Sequence, residues 1–178
     1  LTYWGWSTSD GVTTKEEYID PDDGVRGVKL TCTTASTSWN FIHYSLPKSQ
    51  IQLLEPKTEY TISFDIKSNL GVRNTYMQIQ QGNATNGLTN QGLYQIKGNE
   101  TWEHAVYKIT TKDSLSGLDL NSQLLYFTGV NKVGYVIIKN LKLEKGNVAT
   151  AWTPAPEDTS AEITEQIQGL DTNGRNFI

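Results

Sequence analysis

The sequence predicts an all-β fold: a sandwich of two antiparallel sheets, followed by a short helical segment near the C-terminus. Three observations predict it. Thr, Ser, Tyr, Trp and Gly are abundant across the 178 residues, aromatics make up 10%, and Met occurs once, a composition that favours strands and turns over helices. Several stretches of five to ten residues alternate apolar and polar side chains, the period of a strand with one buried face. The single cysteine, Cys32, excludes an internal disulfide framework and a Cys-rich metal site, so the fold has to stand on packing.

The elements follow in order. Tyr3-Trp4-Gly5-Trp6 opens residues 1–11 before a Ser/Thr/Asp/Gly cluster; Trp4 and Trp6 alternate and share a face, expected in the core of a first strand, with an exposed ligand platform as the alternative. Asp20-Pro21-Asp22-Asp23-Gly24 is a turn, with Pro fixing one dihedral, Asp capping and Gly taking a positive φ. Val25–Thr34 alternates and places Cys32 on its apolar side as a small buried hydrophobe. Ser38–Ser45 is a strand with bulky groups on both faces, Trp39, Phe41 and His43 on one and Ile42 and Tyr44 on the other, so one face lies outside the core or at its edge.

After the Pro-containing loop 46–58 comes the clearest strand, Glu59–Ser68. Its Tyr60, Ile62, Phe64 and Ile66 point one way, and Thr61, Ser63, Asp65 and Lys67 form a polar open face. Asn74–Gln81 repeats the pattern, with Met77 and Ile79 inward and Tyr76, Gln78 and Gln80 outward. Residues 82–98 form a Gly/Asn/Thr-rich excursion, long for a hairpin. Trp102–Thr111 is a strand with Ala105, Tyr107 and Ile109 on one side and His104, Val106 and Lys108 on the other. Leu124–Thr128 and Tyr135–Leu143 complete the sheets. The last is apolar on both faces at Val136-Ile137-Ile138, which calls for a central or covered position. Beyond Trp152, Pro154-Ala155-Pro156 is a stiff spacer, and Ile163, Ile167 and Leu170 fall at helical spacing after the caps Asp158 or Ser160. The expected division is 1–156 sandwich, 157–172 helical linker with a stripe too thin to fold alone, and 173–178 the start of a further module.

Net charge is −4, with 15 basic residues against 19 acidic and no basic block, which gives a nucleic-acid partner no footprint. No apolar run reaches the roughly 18–20 residues of a membrane-spanning helix. There is no nucleophile elbow, no phosphate-cradling Gly-rich loop and no closely spaced His pair, and Asp65 sits two residues from Lys67 on one strand face, so the expectation is a non-enzyme. The acidic turn offers Asp20, Asp22 and Asp23 as oxygen ligands to a structural Ca²⁺, as an alternative to a plain turn; no other cofactor is expected. Gln and Tyr alternating on an open sheet face suit sugar hydroxyls and C–H faces, as an alternative to a merely solvated face. On face assignment alone the candidate ligand residues are Trp39 and Tyr76 as plates, with His43, Asp65, Gln78 and Gln80 as polar partners.

The stretch Ile138–Asp158, IKNLKLEKGNVATAWTPAPED, closely resembles the terminal strand and exit of carbohydrate-binding-module-like jelly rolls in tail and baseplate proteins of phages of Gram-positive bacteria. Tyr60–Ser68 looks like the matching central strand, and Asn173–Ile178 like the phrase that opens a further such module. The resemblance implies a jelly-roll β-sandwich without catalytic activity, in an extracellular virion component that binds host cell-wall polysaccharide alongside other tail proteins. It also implies a structural Ca²⁺ near the first strand and oligomeric tail parts, for which residues 160–170 are the expected helix of a homo-oligomer. A structural spacer without ligand, and a binding module of a secreted glycoside hydrolase, are the alternatives.

Overall fold

The computed structural model describes the backbone of residues 4–7, 13–34, 41–45, 52–70, 76–79, 92–95, 97–115, 123–128 and 133–153, and the side chains within 14–34, 52–70, 97–115 and 133–153. The expected helical linker and the start of a further module lie outside the described residues, among which no helix occurs. The described residues form ten strands: β1 (Trp4–Ser7), β2 (Thr13–Ile19), β3 (Arg26–Cys32), β4 (Phe41–Ser45), β5 (Glu59–Ser68), β6 (Tyr76–Ile79), β7 (Gly92–Gln95), β8 (Glu103–Thr110), β9 (Gln123–Thr128) and β10 (Gly134–Lys145). They form two five-stranded antiparallel sheets, ordered β1-β4-β9-β6-β7 and β2-β3-β10-β5-β8. The chain passes repeatedly from one sheet to the other, which is how a jelly roll buries one face of each sheet.

The second sheet supplies the described core. Val28, Leu30 and Cys32 of β3, Ile62, Phe64 and Ile66 of β5, Ala105 and Ile109 of β8, and Val136 and Ile138 of β10 are all buried. Their alternation with half-exposed or exposed neighbours along β3 and β8 is the period-2 pattern read from the sequence. The Cys32 thiol is buried and donates to the Thr34 carbonyl at 3.0 Å. β10 lies between β3 and β5, which accounts for its two apolar faces: Val136 and Ile138 enter the core, while Ile137 is buried on the opposite side. The expected open polar face of β5 is not open at its start. Thr61 and Ser63 are buried, and the Thr61 hydroxyl donates to the Gly146 carbonyl at 2.8 Å, so the chain leaving β10 covers Thr61.

Two strands carry no clear sequence signal. β2, TTKEEYI, is a charged edge strand paired only with β3, and such charges are what edges use against unwanted pairing. β7 has four residues inside the Gly/Asn-rich excursion. β2 turns into β3 through Asp20–Gly24, where Gly24 has φ +72° and its N–H donates to the Asp20 carbonyl at 2.8 Å.

Gly27 permits the β3–β10 contact. A Cβ there would stand 2.4 Å from the Ile138 carbonyl oxygen and 3.1 Å from Lys139 Cβ. Because the obstruction is backbone in a central strand, Gly27→Ala is expected to destabilise the domain by about 1–3 kcal/mol in urea unfolding. An unchanged midpoint would mean the two strands separate without cost.

Candidate functional site

In an antiparallel ladder, directly opposed residues share a face, so register alone sorts the first sheet into two faces. One lateral row reads Gly5–His43–Tyr126–Gln78–Leu93 across β1, β4, β9, β6 and β7. The next row on that face reads Ser7–Phe41–Thr128–Tyr76–Gln95. On the opposite face the corresponding row is Trp6–Ile42–Phe127–Met77–Tyr94, with Trp4, Tyr44 and Leu125 beside it. The second set is apolar and aromatic throughout; the first mixes rings with amides and hydroxyls.

Three of the six candidates from the sequence, His43, Tyr76 and Gln78, thus fall on one face of one sheet in adjacent rows. Tyr126, Gln95, Phe41 and Thr128 join them and were missed. Tyr126 and Thr128 alternate with Leu125 and Phe127 within β9, a signal present in the sequence whose meaning depended on the pairing with β4 and β6. None of the five strands of this sheet carries Asp, Glu, Lys or Arg. Every strand of the second sheet does. Trp39 and Gln80 lie outside the described residues.

Asp65 belongs elsewhere. It sits on β5 of the second sheet, where its carboxylate accepts from Asn140 Nδ2 at 2.6 Å and meets His104 Nδ1 at 2.7 Å. Asn140 adopts φ +57° where the β10–β5 register shifts, a β-bulge that turns its amide toward Asp65. Lys67, expected as the partner of Asp65, instead places its ammonium 5.9 Å from the Trp102 ring centroid.

The acidic turn also takes part on this second sheet. Lys139, 7% exposed, directs its ammonium onto Asp20, which is 1% exposed, and onto Asp23 at 2.6 Å. Trp102 covers it, with the ring centroid 4.6 Å from Nζ, and Tyr18 packs against Trp102 with centroids 6.4 Å apart. The other Asp20 oxygen accepts the Asp22 N–H at 3.0 Å, and the other Asp23 oxygen accepts the Val25 N–H at 2.9 Å. The Lys139 ammonium and these N–H groups hold both carboxyls below the usual carboxylate range. Burial alone would lower the Lys139 pKa, but its hydrogen bonds to Asp20 and Asp23 outweigh that and raise it.

All four oxygens of Asp20 and Asp23 therefore face donors, one of them a cation. That set does not fit a calcium ion, which needs several carboxylate or carbonyl oxygens turned toward it. Among the described residues no group of three or more His, Cys, Asp or Glu is arranged to hold a metal.

No protein-family model and no curated protein sequence matches the chain. Solved structures do. A family 11 carbohydrate-binding module from Clostridium thermocellum, in complex with a β-1,3-1,4-mixed-linked tetrasaccharide, aligns with TM-score 0.52 and 20% identity over 84% of this chain and 92% of that one. A carbohydrate-binding module designated CBM4 aligns with TM-score 0.54 and 14% identity over 80% of this chain and 86% of that one. The enzymatically active domain of tailspike protein 4 of bacteriophage CBA120 aligns with TM-score 0.56 and 17% identity, covering 82% of this chain but only 20% of the tailspike chain. At such identities the likeness speaks for the fold: the chain folds as the β-sandwich shared by these carbohydrate-binding modules.

Proposed function

We propose that the chain is a non-catalytic saccharide-binding module of an extracellular phage tail or baseplate adhesion protein, and that it binds host cell-wall polysaccharide on the first sheet. The observation that carries this reading is the register. It gathers His43, Tyr126, Gln78, Phe41, Thr128, Tyr76 and Gln95 on one face while every apolar row lies on the other. A sandwich needs the apolar rows at its interface, which leaves the mixed face to solvent. Tyr126 and Tyr76 act as plates for sugar C–H faces, and Gln78, Gln95, His43 and Thr128 supply donors and acceptors for hydroxyls. Trp39 and Gln80 share the sequence parity of His43 and Gln78 and stay proposed ligand residues on that ground alone. Asp65 is not part of it, being on the other sheet.

The fold likeness to carbohydrate-binding modules supports saccharide binding, and the tailspike likeness is in keeping with a tail protein. The exit phrase Lys142–Asp158 favours the tail setting over a module of a secreted glycoside hydrolase. Residues 157–172 would then link the module to other tail proteins or to further copies of the chain. One such face binds weakly, and many copies on a virion raise the avidity.

Titration calorimetry with purified host-wall polysaccharide tests the proposal. Tyr126→Ala is expected to weaken binding about tenfold or more, roughly 1.4 kcal/mol, with the thermal midpoint retained. Absence of binding by the unsubstituted protein, or unaltered binding by the variant, would remove the reading.

A further inference from the structure

We infer that residues 146–151 form a strap that fixes the exit of the chain on the outer face of the second sheet. The residues after Thr153 are then held behind the module, and the mixed face of the first sheet is presented away from them. What the first sheet binds rests on the saccharide reading above; where the chain leaves rests on the strap alone.

The strap depends on the bulge in β10. Before it, Val136 and Ile138 enter the core. Lys139 pairs with Asp65 and Lys142 with Ser63, so Asn140 and Leu141 together stand against Phe64. The extra residue inverts the alternation. Leu141 and Leu143 now pack against the core, and Lys142 and Glu144 face out beside Ser63 and Thr61. Unbroken alternation would have turned both charges inward. Asn140, at φ +57° and tied through Nδ2 to Asp65, holds the inversion in place.

These two outward side chains grip the chain as it returns. Around Gly146, at φ +109°, the backbone reverses; the Gly146 N–H donates to the Glu59 carbonyl at 2.8 Å and its carbonyl accepts from the buried Thr61 hydroxyl. Thr150 then donates its N–H, at 3.0 Å, and its hydroxyl to the Glu144 carboxylate. The Lys142 ammonium donates to Thr150 Oγ1 at 2.5 Å and to the Ala151 carbonyl at 2.9 Å, and meets Glu144 at 3.0 Å. Thr150 bonds to Glu144 and Ala151 to Lys142, so the chain runs back against the direction of β10. The Lys142 and Glu144 side chains are only 21% and 15% exposed, and hydrogen bonds to ionised groups are the stronger kind, less screened when half-buried. Thr153 follows Ala151 by two residues, within about 7 Å of it. The mixed face of the first sheet lies on the far side of the sandwich, beyond a sheet-to-sheet spacing of about 10 Å.

The test uses the isotope-labelled full chain with its Glu144→Ala and Thr150→Val variants. The Thr150 amide is expected to exchange with solvent about tenfold faster or more in Glu144→Ala than in the unsubstituted chain, with the Ile138 amide of β10 unchanged. Thr150→Val removes only the hydroxyl and keeps the test open if Glu144→Ala fails to fold; its residue-150 amide is also expected to exchange faster. A nitroxide on Thr153→Cys, with the buried Cys32 thiol unlabelled, is expected to broaden Ser63 and Val106 of the second sheet most and His43, Tyr126 and Gln78 of the first sheet least. Equal broadening of the two sheets, or residue-150 exchange unchanged in both variants, would overturn the strap and leave saccharide binding standing. A chain that takes up no host-wall polysaccharide in calorimetry, yet keeps the amide protection and the one-sided broadening, retains the strap and loses only the ligand.

Discussion

Replacing Lys139 with alanine is expected to destabilise the domain by about 3–5 kcal/mol, the range seen when one partner of a buried ion pair is removed and the other is left without its countercharge. The charge left behind is Asp20, 1% exposed and committed on one oxygen to Lys139. The loss should be accompanied by a change in Trp102 fluorescence, since the ammonium sits 4.6 Å from that ring. The sign of the pH dependence follows from the shifts. The Asp20 and Asp23 carboxyls are held low in the folded state, so their contribution is full above the ordinary carboxylate pKa near 4. It is lost as pH falls through the depressed folded value. In Lys139→Ala the carboxyls lose the cation that holds them low, so the part of the acid limb they contribute should shrink. Because Lys139 serves as the cation of this turn, millimolar Ca²⁺ is expected to leave the melting temperature of the unsubstituted chain unchanged; a calcium-dependent rise would contradict that role. Urea unfolding from pH 2 to 8, with and without Ca²⁺, covers the set, and a loss below about 1 kcal/mol would show the pair to be replaceable by water.

Phe64→Ala is expected to cost a similar amount, about 3–5 kcal/mol. Phe64 is fully buried on β5 between Ile62 and Ile66 on the same face, with Ala105 of β8 opposite it. A small residue opposite a large one is how two strands fill one layer, so truncating the phenyl ring leaves a void that Ala105 cannot fill. Equilibrium unfolding in urea should show a lowered midpoint with an unchanged slope. A loss under about 1 kcal/mol would mean that the core around β5 collapses into the space.

The sequence made β5, β8 and β10 plain for the same reason that Phe64 matters. β5 and β8 have to fill a buried face at period two, and β10 has to be apolar on both faces at Val136–Ile138, requirements written into consecutive residues. β2 was hidden because an edge strand is under no such requirement: its Lys15, Glu16 and Glu17 protect the edge instead. The candidate site was half legible. Alternation within β6 is enough to put Tyr76 and Gln78 on one face, and within β4 to put His43 with Phe41, but only register joins these to Tyr126, because β4, β9 and β6 are neighbours in space and far apart in the chain. Asp65 shows the converse. Its outward face was read as expected, yet nothing along β5 tells which of two sheets that face belongs to. The acidic turn was read for its carboxylates alone, since the ammonium that satisfies them arrives from 119 residues away.

The most direct measurement of the central claim is an amide chemical-shift titration of the isotope-labelled chain with oligosaccharides from host-wall polysaccharide. The account expects perturbations to concentrate on His43, Tyr126, Gln78 and Leu93 and on the neighbouring row Phe41, Thr128, Tyr76 and Gln95, with β5, β8 and β10 unmoved. Perturbations centred on His104, Asp65 and Trp102 of the second sheet, or none on either sheet at saturating oligosaccharide, would contradict it.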